Sequence, residues 1–538
     1  MRLKSNFNKT LNIASLESTT SPIKVHTLMQ SEKNKQPSVN AYLGARYSRS
    51  ADSITDIARE IMDSGADAAK RLETIFQGYG HKSVGDMAGL FVCIENIPMF
   101  LAQKLFYMNP VHSGQERSTR YQNFEEPKFV KMPEGTDEKV AKEYEEIFKY
   151  WMQSYREMME PTKRKLREYF KPEEDSKNHE SALQARTFDT ARFFLPIGLE
   201  TSMALSMSAR SWAELIGYLR ASNLLVAKEL GEMLFELLAG NEELKKAGYI
   251  PEADGLIRHT EANKTRNNST KKILALLREA GGETRNKEKN VDNIHVKSPQ
   301  IENSEASFQN DAIDNYLSHY MLLNNPLAEL SEFRASKELQ NSIGKIISKH
   351  HNHHNQIGTV SQTGAILMEG FGDYGSVLKD INRHRSFERF FPLLEDWVDI
   401  DAELERPEPE CYFLCDYLDI GSFKDLREDY TKKFDEGYKR VQKWSKKAKE
   451  STSEDVRREY TRYLIPHAHA CRYRLYGSID DWQYLLHLRV RNGGHIAYRK
   501  LSDDWLKKLA QKTPLFIGIQ EKLETVDHTS REQFFDRS

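Results

Sequence analysis

Cysteine is scarce in this chain. Only Cys93, Cys411, Cys415 and Cys471 occur among 538 residues, too few to staple a chain of that length, so a disulfide scaffold is excluded. Cys411 and Cys415 are four apart and on a helix would share a face. They read as two buried apolar thiols rather than as a metal or redox pair. No apolar run approaches the roughly 20 residues of a membrane-spanning helix, and the first residues, MRLKSNFNKTLNIASLESTTSPIK, hold no hydrophobic signal core. The expectation is a cytoplasmic protein. An excess of either charge is also missing: 78 Lys and Arg stand against 80 Asp and Glu. No global field draws the chain to nucleic acid or to a membrane, so an anionic ligand must be held by local clusters of arginine.

What is present is mostly helical. Charged residues make up 29% and apolar residues 39%, as in a strongly solvated globular chain with room for a large core. Ile54, Ile57, Ala58, Ile61 and Met62 follow the spacing of one buried helix face behind a cap at Asp52 or Ser53. Segments 136–170 and 424–460 read as long charged helices with one apolar stripe, and a third long pattern runs from Ser211 to Gly240. GLFVCIENI (89–97) and GAILMEGFG (364–372) read as strands.

The composition turns polar between 256 and 312, around one short helical run, ILALLREA. The chain on either side repeats itself. TARFFLP (190–196) matches TRYLIP (461–466), which aligns Arg192 with Arg462 and Pro196 with Pro466. A tryptophan follows each arginine by twenty residues, Trp212 and Trp482, and each is followed by Leu-Arg: Leu219-Arg220 and Leu488-Arg489. GHKSVGD (80–86) pairs weakly with HHNQIGT (353–359), setting His81 against His354. An offset held near 270 predicts a tandem duplication, with an N-terminal arm at 1–38, a first domain at 39–255, a polar linker at 256–312, a second, more divergent domain at 313–510 and a tail at 511–538.

Two stretches carry the chemistry. SGQERSTRYQ (113–122) and RHRSFERFFP (383–392) look like two halves of one anion-binding motif. Arginine suits that task, because its planar fork meets phosphate oxygens two at a time. The histidines of KHHNHHN (349–355) and PHAHA (466–470) have no acidic or cysteine partner nearby and read as polar clusters rather than as a metal site, and ELERPEPE (403–410) reads as a solvated loop. Arg192 reads as a structural ion-pair partner.

The order of these elements resembles that of the flavin-dependent thymidylate synthases: a His-x-Ser element, a strand, Arg-His-Arg-x-x-Ser-x-Asn-Glu-x-Ser-x-Arg, Ala-Arg-x-x-Leu-Pro, then Arg-Ser-Trp and Leu-Arg. The resemblance covers most of 39–240 and, more faintly, 340–500. It implies a mixed α/β (α+β), helix-rich fold in two tandem domains that form an intramolecular pseudo-dimer. Neither copy holds the long motif alone. The first keeps its tail, Gln115, Glu116, Ser118 and Arg120, and has FYMNP (106–110) in place of the head; the second keeps the head, Arg383-His384-Arg385, and loses the tail. ARSW (209–212) keeps the arginine that the second copy replaces with acid in SIDDW (478–482), while Arg489 keeps the family spacing that Arg220 misses by one. Departures from the pattern are Gln115 for asparagine, Asp86-Met87 for an acidic-His pair, and Asp380 for glutamine.

Carried over by position, the resemblance implies one complete composite site. Arg489 would be catalytic, stabilising negative charge at the pyrimidine edge. Gln115, Glu116, Arg117, Ser118, Arg120, Arg383 and Arg462 would bind dUMP. Ser83, Ser208, Arg210, Arg383, His384 and Arg385 would bind FAD. NADPH and methylenetetrahydrofolate would be co-substrates, no metal is called for, and a homodimer would act as a pseudo-tetramer. The activity implied is conversion of dUMP to dTMP. The alternatives are C5 modification of another pyrimidine nucleotide, or a non-catalytic homologue that binds flavin or nucleotide.

Overall fold

A computed structural model describes residues 3–536 apart from 10–12, 29–36, 49, 64–81, 109–111, 120–123, 125–126, 174–175, 254, 263, 282–304, 309–312, 315–316, 319–324, 326, 328–332, 351–364 and 407–410. The strands are β1 (Leu3–Asn8), β2 (Ile13–Ser18), β3 (Lys24–Leu28), β4 (Gly89–Pro98), β5 (Ser113–Glu116), β6 (Glu200–Ser208), β7 (Glu305–Phe308), β8 (Ala365–Asp373), β9 (Glu388–Phe390) and β10 (Ala470–Ser478). Helices α1 (Met99–Met108), α2 (Glu138–Phe170), α3 (Lys177–Ala191), α4 (Ala209–Ala221), α5 (Leu225–Ala239), α6 (Lys424–Ala448), α7 (Glu454–Tyr463), α8 (Ile479–Arg489) and α9 (Ile496–Lys512) carry the packing, with shorter or peripheral helices among them. The chain is therefore helix-rich with small antiparallel sheets, an α+β protein. Among the described residues no helix is long and apolar enough to cross a membrane.

Two compact units divide the chain discontinuously. The first takes Met1–Lys142, Gly198–Val296 and Lys447–Tyr463; the second takes Glu143–Ile197, Lys297–Lys446 and Leu464–Ser538. The first unit holds a six-stranded sheet in the order β1-β2-β3-β4-β6-β5, all neighbours antiparallel. Residues 3–28, read from sequence as part of an arm, form its first three strands. A bulge breaks the β4–β6 register between Ile94 and Ile97. Asn96 sits there at φ 59°, a conformation asparagine tolerates, and its amide donates to Pro22 O at 3.0 Å. The second unit holds a four-stranded sheet in the order β7-β8-β10-β9. Strand β7 comes from within the polar stretch at 256–312, and that stretch also forms a helix, Lys264–Gly281, longer than the ILALLREA run suggested.

The sheets of the two units repeat one local design. Gly89 pairs with Ser208 in the first, and Ala365 pairs with Ser478 in the second. Each serine then caps the helix that follows: Ser208 accepts from Ser211 N, and Ser478 from Asp481 N. One turn on, the fully buried Trp212 donates Nε1–H to Leu90 O at 3.3 Å, and Trp482 donates to Ile366 O at 3.1 Å. Each carbonyl belongs to the second residue of its strand, so indole and strand satisfy each other without water.

In the second unit, α2 and α6 meet through aromatic rings. Trp151 packs 5.9 Å from Phe434, and Phe194 stacks on Phe434 at 4.2 Å. Gly437 lets the helices close, since a Cβ there would lie 2.1 Å from the Trp151 ring. The tail is part of this core: Phe534 stacks on Phe170 at 3.8 Å, and the buried Arg186 donates to Phe534 O, Gly494 O and Asn492 O. The TARFFLP and TRYLIP segments also meet here. Pro196 forms an antiparallel bridge with Pro466, Ile197 N donates to Ile465 O, and His467 N donates to Leu195 O, both at 2.8 Å.

Three sequence readings are corrected, and that of the two thiols is kept in part. The pattern from Ser211 to Gly240 is two helices, because Ser222 turns to ψ 151° and ends α4 before α5 begins. The run 424–460 is likewise α6 and α7, separated at 449–453. Cys411 and Cys415 are buried free thiols but lie in non-helical chain. In ELERPEPE, Glu403 is not solvated: its carboxylate receives Arg406 at 2.7 Å and lies 3.5 Å from buried His469.

Candidate functional site

Strands β5 and β9 hold the two motif halves at matching places. Ser113 pairs with Ser206 on β6, and Glu388 pairs with Tyr476 on β10; Ser206 and Tyr476 are themselves 270 residues apart. The register that aligns the motif in sequence is thus the register of each sheet.

In the first unit, β5 alternates as a half-buried strand must. Gln115 and Arg117 are exposed, while Glu116 is buried and accepts from Gln103 Nε2 on α1 at 2.8 Å. Arg117 N donates to Ser202 O at 2.8 Å, which extends the pairing by one residue, and Ser118 is half-buried. Arg120 lies outside the described residues, as do Asn109, His81 and His354. The turn Lys82–Met87, which contains Ser83, is brought to the start of α4: Ala209 N donates to Ala88 O at 2.8 Å, and a Cβ on Gly85 would lie 3.4 Å from Arg210 N. Arg210 is exposed and held by Asp86 at 3.1 Å and Glu214 at 3.2 Å; Ser208 Oγ also reaches Asp86 at 3.3 Å. Ser208 and Arg210 therefore share one helix N-terminus, the place where backbone N–H groups favour an anion, and Gly85 and Asp86 of the turn that contains Ser83 lie against it.

Arg462, in the last turn of α7, is fully buried, with its guanidinium 5.7 Å from the centre of the Phe100 ring. Its neighbour is Glu459, whose carboxylate accepts from Leu225 N at 2.6 Å, Val226 N at 3.1 Å and Tyr463 Oη at 2.7 Å. Burial pushes this carboxyl upward in pKa, and the three donors and Arg462 oppose the shift. Sequence reasoning missed Glu459. The signal was there: an acid also stands three residues before Arg192, as Asp189, and that buried pair lies 3.5 Å apart, as expected of a structural ion pair.

In the second unit the motif head follows a short helix, Lys379–Ile381, and meets the end of α8. Arg489 donates from Nε to His384 Nε2 at 2.8 Å and from Nη2 to Asp380 O at 3.0 Å. Its Nη1 lies 3.5 Å from Asp380 Oδ1, and the guanidinium sits 5.2 Å from the centre of the Tyr498 ring. Arg383 Nη1 lies 3.8 Å from the same carboxylate oxygen. Asp380, a departure in sequence, thus joins Arg489 to Arg383. His384 is buried, and burial together with Arg489 and Arg389 holds it neutral, well below the ordinary imidazole range. Arg383 and Arg385 are exposed. In the first copy the matching arginine is diverted: Arg220 pairs with Glu232 at 2.6 Å and donates to Thr260 O at 3.0 Å, while Leu219 takes the equivalent buried position.

One cleft, of about 770 Å³, opens elsewhere in the first unit, lined by Lys128, Lys131, Glu200, Glu229 and Tyr460 among others; none of the motif residues lines it.

Residues 27–238 match the family model of the thymidylate synthase complementing protein. That match covers the His-x-Ser turn, the motif tail on β5 and the Arg-Ser-Trp run on α4, so the resemblance read from those residues stands. Relatives extend the likeness across both parts of the chain. A UPF0159 protein of Chlamydia muridarum (strain MoPn / Nigg) is 21% identical over 484 residues, 86% of this chain and 82% of that protein. A UPF0159 protein of Chlamydia pneumoniae is 22% identical over 529 residues, 90% of this chain and 89% of that protein. The family match ends at residue 238, within α5.

Proposed function

We propose that this protein is a flavin-dependent methyltransferase of the thymidylate synthase type, converting dUMP to dTMP. The observation that carries the reading is the division of one motif around two strands with matching sheet register: the tail begins on β5, and the head lies in the turn before β9. Solvated faces have no reason to divide in that way.

In this reading Gln115, Glu116, Arg117, Ser118, Arg120, Arg383 and Arg462 are the residues assigned to dUMP by the resemblance. Arg489 lies at the pyrimidine edge and opposes negative charge at O4 and N3 as C5 becomes nucleophilic, an effect worth about 3 kcal/mol. Ser83, Ser208, Arg210, Arg383 and Arg385 suit FAD, whose pyrophosphate needs guanidinium groups and a helix N-terminus. Three of the four described side chains in that set have exposed guanidinium groups; Arg210 must trade its two carboxylates for phosphate oxygens. When bound, FAD supplies the hydride, with NADPH and methylenetetrahydrofolate as co-substrates. Duplication places two family-like subunits in one chain, so a dimer would equal the family's tetramer.

The test is the absorbance spectrum of protein reconstituted with FAD and titrated with dUMP. A bound flavin band that shifts on adding dUMP supports the reading; colourless protein that takes up no flavin sinks it. A second reading, a non-catalytic flavin- or nucleotide-binding homologue, is favoured by Asp380 and Asp86, which already compensate Arg489 and Arg210. Ligand binding without turnover of dUMP, UMP or dCMP would select it.

A further inference from the structure

We propose that His384 is a positioning residue that orients Arg489 through its unprotonated Nε2, rather than a flavin contact. The inference rests on the reading of Arg489 as the group at the pyrimidine edge.

The resemblance places His384 along the cofactor with Arg383 and Arg385. Its neighbours on either side in sequence are exposed, but its own ring is buried and points inward. The rings of Phe387 and Tyr484 stand across it at 6.3 and 6.2 Å. Nε2 receives Arg489 Nε at 2.8 Å. An arginine Nε can only donate, so the imidazole must accept there and carry its proton on Nδ1. A guanidinium is a rigid plane. Bonds from Nε to His384 and from Nη2 to Asp380 O fix its position and rotation together, which leaves Nη1 and the second hydrogen of Nη2 in set directions.

The charged groups facing His384 act in one sense. Arg489 on α8 and Arg389 on β9 both oppose a third cation, as burial does. Asp380 sits across Arg489 from the ring, with Arg383 on the same carboxylate. Protonated His384 would turn a donor toward a donor and release Arg489.

The test is nitrogen NMR of the histidine and arginine side chains beside dUMP and FAD binding, on the full chain and two variants. In the native protein His384 is expected as the Nδ1–H form with no titration between about pH 5 and 8, and the Arg489 Nε–H is expected to be protected from exchange. His384→Leu should lose that protection and weaken dUMP binding by about tenfold or more, with FAD uptake unchanged. His384→Gln, which keeps an acceptor, should restore both to within about threefold. The proposal is overturned if the ring titrates near neutrality, if the Nε–H stays protected in His384→Leu, or if that variant loses FAD and keeps dUMP. Native protein that binds neither ligand overturns the assigned function, while the NMR readouts still decide whether His384 holds Arg489.

Discussion

Pro196 and Pro466 form an antiparallel bridge. They are also the residues that the 270-residue offset assigns to each other, and the bonds on either side follow suit: Ile197 N to Ile465 O matches His467 N to Leu195 O. Equivalent residues exchanging equivalent hydrogen bonds is the pattern of an isologous contact about a two-fold axis.

Glu459 acts as the cap that α5 lacks. The residue before that helix, Leu224, has no side chain able to accept a hydrogen bond, and Glu459 receives the N–H groups of Leu225 and Val226 instead. Glu459→Ala should cost about 3 kcal/mol by leaving buried donors and Arg462 without that carboxylate. Glu459→Gln should cost about half as much. Chemical denaturation measures both, and a neutral alanine variant would contradict the assignment.

Gly437 sets the approach of α6 to Trp151. An alanine methyl would meet the indole at 2.1 Å, and a fully buried ring has no room to yield. Gly437→Ala should destabilise the fold by about 2 kcal/mol despite alanine's better helix propensity. A rise in melting temperature would show that the helices part without penalty.

Burial pushes the Glu200 carboxyl up to about 7, with Lys128 acting against the shift. An acid raised in the fold keeps its proton above the unfolded value of about 4.3, so its contribution to stability falls as pH rises from there and levels off above about 7. Glu200→Gln should therefore match the native protein at pH 4 and exceed it by roughly 1 kcal/mol at pH 8, a figure reduced for partial solvent access. Denaturation at the two pH values checks this; equal stability at pH 8 would refute it.

Sequence and structure agree where the signal was local and repeated. The strands at Gly89–Pro98 and Ala365–Asp373 were legible from β-branched and aromatic content, and α2 from its apolar stripe. The repeat could be read because tryptophan and proline are few enough for a fixed offset to stand out. What was hidden depends on tertiary partners. Residues 3–28 look like an arm because β1 alternates without a strong apolar face, and only pairing with β2, then β3 onto β4, makes them a sheet. Asp380 read only as a departure from the pattern because one of its partners, Arg489, lies 109 residues further along the chain. The diversion of Arg220 to Glu232 was visible only as a spacing one residue too long.

The account stands most directly on Arg489. Release of tritium from C5-labelled dUMP, measured with FAD, reductant and methylenetetrahydrofolate present, should proceed in the native protein. It should fall by at least about 100-fold in Arg489→Ala, the loss expected when a charge-stabilising donor leaves a reacting centre. Release at the same rate in both proteins, or none from native protein that carries bound flavin, would contradict it.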